Sequence, residues 1–236
     1  MTILHIAISM GLLTTILSFA VHGKQPKLYS QLAAFVEERE AEFDRIPRER
    51  KAQLDQLSDY LRECQTSGKP ALLIFICTHN SRRSHMSQLW AAVAAVHYGI
   101  ENVETYSGGT ECTAFNPRAV AAMERAGFKV EIEKAVQNPK YHLSFADNSK
   151  PQTCFSKVYS EDTNPTADFC AVLTCSSADK NCPNVVGAIK RVAIPYEDPK
   201  IADGTPGESS KYDERSAQIC RELLYAFSHS RQPSDS

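Results

Sequence analysis

Ala71-Leu72-Leu73-Ile74-Phe75-Ile76 runs without a polar residue into Cys77-Thr78-His79-Asn80-Ser81-Arg82-Arg83-Ser84, after which Met86, Trp90, Val93 and His97 recur on one side of the chain. An unbroken apolar run of this length is what a strand buried on both faces of a parallel sheet requires, and the spacing that follows is helical. Strand, polar loop and helix together present backbone N–H groups and the positive end of a helix to an anion. A cysteine at the strand end, under those donors, is favoured as the thiolate, the nucleophilic form of the side chain. Arg83, six residues after Cys77, returns over the loop and can take two oxygens of a tetrahedral oxyanion with its planar guanidinium. Ser84 can donate to the Cys77 sulfur or cap the helix. Cys-x5-Arg alone is a weak signal; the preceding strand, Ser84 and the helix that starts there make it specific.

Outward from this unit the chain repeats the alternation of strand and helix. Val103 to Glu111, with Gly108-Gly109, reads as a second strand and its turn. Asn116-Pro117-Arg118 opens a helix that Ala126-Gly127 closes. Tyr141, Leu143 and Phe145 alternate, a turn follows at Asp147 to Pro151, and Phe155 to Tyr159 reads as a returning strand. Phe169 to Thr174 is a further buried strand, a fourth lies around Val192, and Lys211 to Phe227 is a closing amphipathic helix. Upstream, Leu28, Leu32, Phe35, Val36 and Phe43, then Leu54, Leu57 and Leu61, mark two helices separated by Pro47; their charged residues read as a solvated face. The expected fold is therefore α/β, a three-layer sandwich around a four-stranded parallel sheet, preceded by a helical extension.

The 236 residues carry 26 Lys+Arg against 28 Asp+Glu, a net charge of -2 that gives no reason to expect nucleic acid as partner. With 42% hydrophobic and 23% charged residues the chain is of ordinary globular composition. Ile3 to Val21 is largely apolar and ends at His22-Gly23-Lys24, so residues 1–23 are expected to be a signal peptide or membrane anchor, and any membrane contact is expected only there. That places the protein outside the cytoplasm or at a membrane; a buried N-terminal helix and a cytoplasmic protein is the alternative, and the reactive thiol chemistry sits better with it unless a dedicated reductant is exported too. The domain reading is residues 24–69 as the helical extension, 70–228 as the α/β domain, and 229–236 as a disordered polar tail. No cofactor and no metal is expected. Cys170 and Cys220 fall on apolar faces and read as core.

Cys77, Asn80, Arg83 and Ser84 stand where the low-molecular-weight phosphotyrosine phosphatases and the thioredoxin-coupled arsenate reductases have Cys-x-Gly-Asn-x-Cys-Arg-Ser, and the sequence resembles that family through nearly all of residues 72–227. It departs at His79, where the family has Gly, and at Arg82, where the family usually has Cys. A glycine is placed where positive φ or a close approach is needed, so His79 bears on the loop geometry, and Asn80 is the residue best able to absorb a left-handed conformation. Arg82 adds positive charge beside the anion site or points to solvent. Thr78, His79, Asn80, Ser81, Arg82 and Ser84 are the expected oxyanion loop. The resemblance implies that Asp198, in Ala193-Ile194-Pro195-Tyr196-Glu197-Asp198-Pro199, protonates the leaving oxygen, with Glu197 as its adjacent competitor.

Cys175 to Pro183 resembles the arsenate reductases specifically, whose further redox cysteines have the spacing of Cys175 and Cys182. This implies a relay in which Cys77 attacks arsenate, Cys175 attacks the adduct, Cys182 resolves the disulfide, and a thioredoxin-like partner reduces the product. A static disulfide or two ordinary thiols is the other reading. Three functions follow: arsenate reduction, hydrolysis of phosphotyrosine through a Cys77 phosphoenzyme, or, given His79, a non-catalytic binder of oxyanions or phosphoproteins.

Overall fold

The computed structural model describes residues 26–133, 137–181 and 184–231. Residues 1–23, expected to be a signal peptide or membrane anchor, Cys182 and residues 232–236 of the expected polar tail lie outside the described residues, whereas His229 and Ser230, expected in that tail, belong to the last helix, where Ser230 is buried. The elements run β1 (Lys27–Leu28), α1 (Ser30–Glu40), α2 (Arg48–Ser67), β2 (Ala71–Cys77), α3 (Arg83–Tyr98), β3 (Val103–Gly109) and α4 (Pro117–Ala126). They continue with β4 (Lys129–Glu133), β5 (Lys140–Ser144), β6 (Ala146–Asp147), β7 (Gln152–Cys154), β8 (Phe169–Leu173), α5 (Ser176–Asn181), β9 (Ala188–Ala193) and α6 (Glu208–Ser230). Among the described residues no helix is long and apolar enough to cross a membrane.

The main sheet has four strands in the order β3-β2-β8-β9, all parallel, as the buried apolar runs require. Side chains of β2 alternate between its faces as far as Ile76. Leu73 and Phe75 enter the large core with α2, α3, α4 and α6, whereas Ile74, Ile76 and Cys77 join Phe169, Ala171, Leu173 and Cys175 in a smaller one. The second face is covered by the six-residue α5 and by loop residues such as Tyr159 and Val185, so the outer layers are unequal.

The helical extension forms as its spacing requires. Leu32 and Val36 of α1, and Leu54, Leu57, Leu61 and Cys64 of α2, face inward against the core. Asn116 caps α4 by accepting from the Arg118 N–H at 2.9 Å, and Gly127 closes it at φ 112, a backbone angle that glycine adopts at no steric cost.

The chain between the second and third sheet strands differs from expectation. β5 pairs with β4 and β7 in a three-stranded antiparallel sheet, and the returning strand is Gln152–Cys154. The stretch expected to be that strand, Phe155 to Tyr159, lies beyond it. The side chain of Asn138 takes over the pairing there, accepting from the Ser156 N–H at 3.0 Å and donating to the Ser156 carbonyl at 2.7 Å, and Val158 bridges Gly109 instead.

Candidate active site

Cys77 is the last residue of β2, and the chain leaves β2 for β3 on one side and later returns to β8 on the other. The crevice at the carboxyl ends of these strands is where an open α/β sheet binds ligands. The loop between Cys77 and α3 is fastened by its carbonyls. Cys77 O accepts from Thr110 N, Thr78 O from Glu111 N, and Ser81 O from Asn116 N, at 3.2, 2.9 and 2.8 Å. His79 O accepts from the hydroxyls of Ser156 and Thr113 at 3.0 and 3.2 Å, and Ser81 Oγ donates to Ala114 O at 2.8 Å. A trans peptide points its N–H opposite to its C=O. Carbonyls 77, 78, 79 and 81 being turned to the outer wall, the N–H groups of Thr78, His79, Asn80 and Arg82 face the loop interior. That is a concave array of donors suited to an oxyanion.

The left-handed residue of the loop is Asn80, at φ 42; His79 is outside that region. His79 therefore meets no positive-φ demand in the place where the family carries glycine, and its half-exposed ring lies 3.5 Å from Glu111 Oε2. The close approach is served by the neighbouring strand: a Cβ on Gly109 would stand 2.7 Å from Thr78 O and 2.8 Å from Asn80 N.

Asn80 also orders the nucleophile. Its Oδ1 accepts from the Lys157 N–H at 2.9 Å, which fixes the amide orientation, and its Nδ2 donates to Ser84 Oγ at 2.9 Å. The Ser84 hydroxyl, already accepting from Asn80, has its proton free to donate to Cys77 Sγ at 3.1 Å. Ser84 thus serves the sulfur and not the helix end: α3 starts at Arg83, and its cap residue Arg82 makes no side-chain capping bond.

Arg83 donates from Nη1 to Tyr196 O at 2.9 Å and from Nη2 to Asp198 Oδ2 at 2.8 Å, while its Nε is buried without a hydrogen-bond partner. An oxyanion in the loop would satisfy that donor. Arg82 does not point to solvent. Its Nε lies 2.8 Å from Asp198 Oδ1, and its Nη2 donates to Oδ2 at 3.3 Å. Asp198 accepts in addition from the Lys200 N–H at 3.1 Å, capping a 3₁₀ turn over residues 199–202. Glu197, its sequence neighbour, points elsewhere: its side chain is 89% exposed and its ion pair is with Arg215 at 3.3 Å.

Cys175 follows the end of β8. Thr174, just before it, donates from both its N–H and its hydroxyl to Ile76 O, at 2.7 and 3.0 Å, tying the second thiol segment to the strand of the first. Cys175 Sγ is buried, accepts from the Ala178 N–H at 3.3 Å and sits 3.6 Å from the Thr78 hydroxyl. Cys77 and Cys175 share one apolar cluster. Cys182, the third expected sulfur, lies outside the described residues.

Sequence reasoning missed three supports of this site. His85 is fully buried, its Nδ1 is 3.0 Å from Ser107 Oγ, and burial together with the charge of Lys157 holds its pKa well below the usual value. Residues 155–159 form the outer wall of the loop through Ser156 and Lys157; apart from the bridge to Gly109 their bonds pair side chain with backbone and leave no periodic trace. Arg50, assigned to a solvated helix face, is instead largely shielded, its side chain 12% exposed. It pairs with Glu222 at 2.8 Å and lies 4.8 Å over the ring of Tyr196, the residue whose carbonyl receives Arg83. Its charged partner Glu222 is distant in sequence, so no local signal could have shown the pairing.

The family model described as low molecular weight phosphotyrosine protein phosphatase matches residues 72–147. An arsenate reductase of Bacillus licheniformis is 31% identical over 156 residues, which cover 66% of this chain and 93% of the relative. An arsenate reductase of Shouchella clausii is 30% identical over 137 residues, covering 58% and 80% respectively. Among solved structures, a thioredoxin-dependent arsenate reductase of Corynebacterium glutamicum superposes with TM-score 0.40 at 17% identity, over 85% of this chain and 98% of that one.

Proposed function

The chain belongs to the family of low-molecular-weight phosphotyrosine phosphatases and arsenate reductases, and from that premise we propose that it reduces arsenate to arsenite by a relay through Cys77, Cys175 and Cys182. It is an enzyme that acts on a phosphate-like oxyanion through a cysteine. The observation that carries the redox reading is the place of Cys175, buried beside Thr78 at the end of the strand next to that of Cys77.

In the first step the Cys77 thiolate attacks arsenic. A sulfur–arsenic bond forms and one arsenic–oxygen bond breaks, its oxygen leaving as water with a proton from Asp198. The inward amides and Arg83 hold the remaining oxygens. Cys175 then attacks Cys77 Sγ: a disulfide forms, the electron pair of the sulfur–arsenic bond stays on arsenic, and arsenite departs. Arsenic gains the two electrons that the two thiols lose. Cys182 attacks Cys175, frees Cys77 as thiolate, and leaves a Cys175–Cys182 disulfide for a thioredoxin-like dithiol to reduce.

The test is Cys175→Ser. Arsenate turnover is expected to vanish while any hydrolysis of an aryl phosphate through Cys77 persists, and mass spectrometry of the wild type after one round with arsenate is expected to show Cys175 joined to Cys182. Arsenate turnover that survives in Cys175→Ser would refute the relay. The second reading, hydrolysis of phosphotyrosine, is supported by the matched phosphatase model over the Cys77 loop and calls on Cys77, Arg83 and Asp198 alone, with water in place of Cys175. Unaltered turnover of both substrates by Cys77→Ser would remove the nucleophile from either reading.

A further inference from the structure

We propose that Arg82 is a positioning residue for the Asp198 carboxylate and not a ligand of the oxyanion, an inference that rests on the catalytic reading above. Two adjacent arginines meet one carboxylate, but they meet it differently. Arg83 touches Asp198 through Nη2 alone, spends Nη1 on the Tyr196 carbonyl, and keeps Nε buried and unpartnered. Arg82 lies against both carboxylate oxygens: its Nε is 2.8 Å from Oδ1 as an ion pair, although like the Nε of Arg83 it makes no aligned hydrogen bond, and its Nη2 donates to Oδ2 at 3.3 Å.

The division of labour follows from the geometry. An oxyanion in the loop draws on the buried, unpartnered Nε of Arg83. Competition for Arg83 weakens its hold on Asp198, and without a second cation the carboxylate would keep only the Lys200 N–H. Arg82 supplies that second hold. Its side chain is 11% exposed against 29% for Asp198, so the guanidinium sits behind the carboxylate instead of reaching past it into solvent. A planar guanidinium against two oxygens fixes the direction of the carboxylate as well as its distance, which a lysine would not. Proton transfer requires that alignment, because a general acid must hold its proton within hydrogen-bond reach of the oxygen it protonates: when the oxyanion draws Arg83 from Oδ2, that oxygen is the one able to carry the proton, and Arg82 beside Oδ1 keeps it aimed.

The experiment is a double-mutant cycle of Arg82→Ala and Asp198→Asn, with Arg82→Lys as a milder variant that keeps the charge. Steady-state rates are read on arsenate with a dithiol reductant, and on 4-nitrophenyl phosphate and phenyl phosphate; whichever substrate class the wild type turns over carries the cycle. Arg82→Ala is expected to lower kcat by roughly 10- to 100-fold, the share of general-acid catalysis that alignment controls, with KM within about threefold of wild type. Arg82→Lys is expected to recover part of the loss. The double variant is expected to be no slower than Asp198→Asn, since both changes disable one device. On aryl phosphates the loss is expected to be larger for phenyl phosphate, whose leaving group needs the proton, than for 4-nitrophenyl phosphate. A merely structural defect would slow both alike.

The proposal is overturned if Arg82→Ala raises KM about tenfold or more at unchanged kcat, the mark of a direct oxyanion ligand. It is equally overturned if the two substitutions multiply in the double variant, or if the two aryl phosphates suffer equally. A wild-type protein inert toward every one of these substrates overturns the catalytic reading itself, and the proposal with it.

Discussion

At the scale of single residues, the site is a chain of orientations that starts on the backbone: Lys157 N–H orients Asn80, Asn80 orients Ser84, and Ser84 reaches Cys77. Gly109 keeps that chain in register, because any side chain there would meet Thr78 and Asn80. Gly109→Ala is expected to displace the loop and lower activity on the order of a hundredfold, the scale of an ångström-sized misplacement, with the fold retained in circular dichroism. His85 gives a pH test. Its folded pKa is depressed by burial, so below about 6.5 the unfolded chain takes up a proton that the folded one resists. The unfolded state binding more protons, stability falls as pH falls from there, by up to about 1.4 kcal/mol per pH unit from this group. Urea midpoints at about pH 7.5 and 5.5 are expected to separate more for wild type than for His85→Asn. Among the described thiols, Cys112 is exposed, while burial pushes Cys154 up to about 12 and Cys220 well above the ordinary value. Alkylation of the native protein is expected to modify Cys112 and to spare Cys154 and Cys220 until unfolding.

At the scale of elements, what was legible in the sequence was whatever repeats or has a characteristic length. The strand of residues 71–77 announced itself by an uninterrupted apolar run, α4 by Asn116-Pro117 and Gly127, and the extension by its spaced leucines. Asp198 was reached through the family resemblance, whose Asp-Pro loop it matches, and not through a signal of its own. What was not legible depended on partners remote in sequence. The wall at residues 155–159 takes its shape from Asn138, His79 and Gly109, and Arg82 gave no sign in its own neighbourhood that it would turn to Asp198. The wall is testable as an element. Ser156→Ala removes the donor to His79 O and the acceptor of the Thr113 N–H, and is expected to cost about 1–2 kcal/mol in chemical denaturation and to raise KM for the oxyanion.

At the scale of the whole molecule, one continuous core joins the extension to the α/β domain, with Leu32, Leu54, Leu57 and Leu61 in the same cluster as Leu73, Trp90 and Phe227. The chain has a single tryptophan, and its ring stacks on Phe35 of α1 at 5.2 Å. Trp90 emission therefore reports docking of the extension, and its transition is expected to coincide with that of the far-ultraviolet signal in one cooperative unfolding step. Leu57→Ala is expected to destabilise both signals together by about 3 kcal/mol. The double grip of Thr174 on the Ile76 carbonyl has a mechanical meaning of its own. It ties the backbone one residue before the second sulfur to the strand that carries the first, so the sheet itself sets how far apart the two thiols stand.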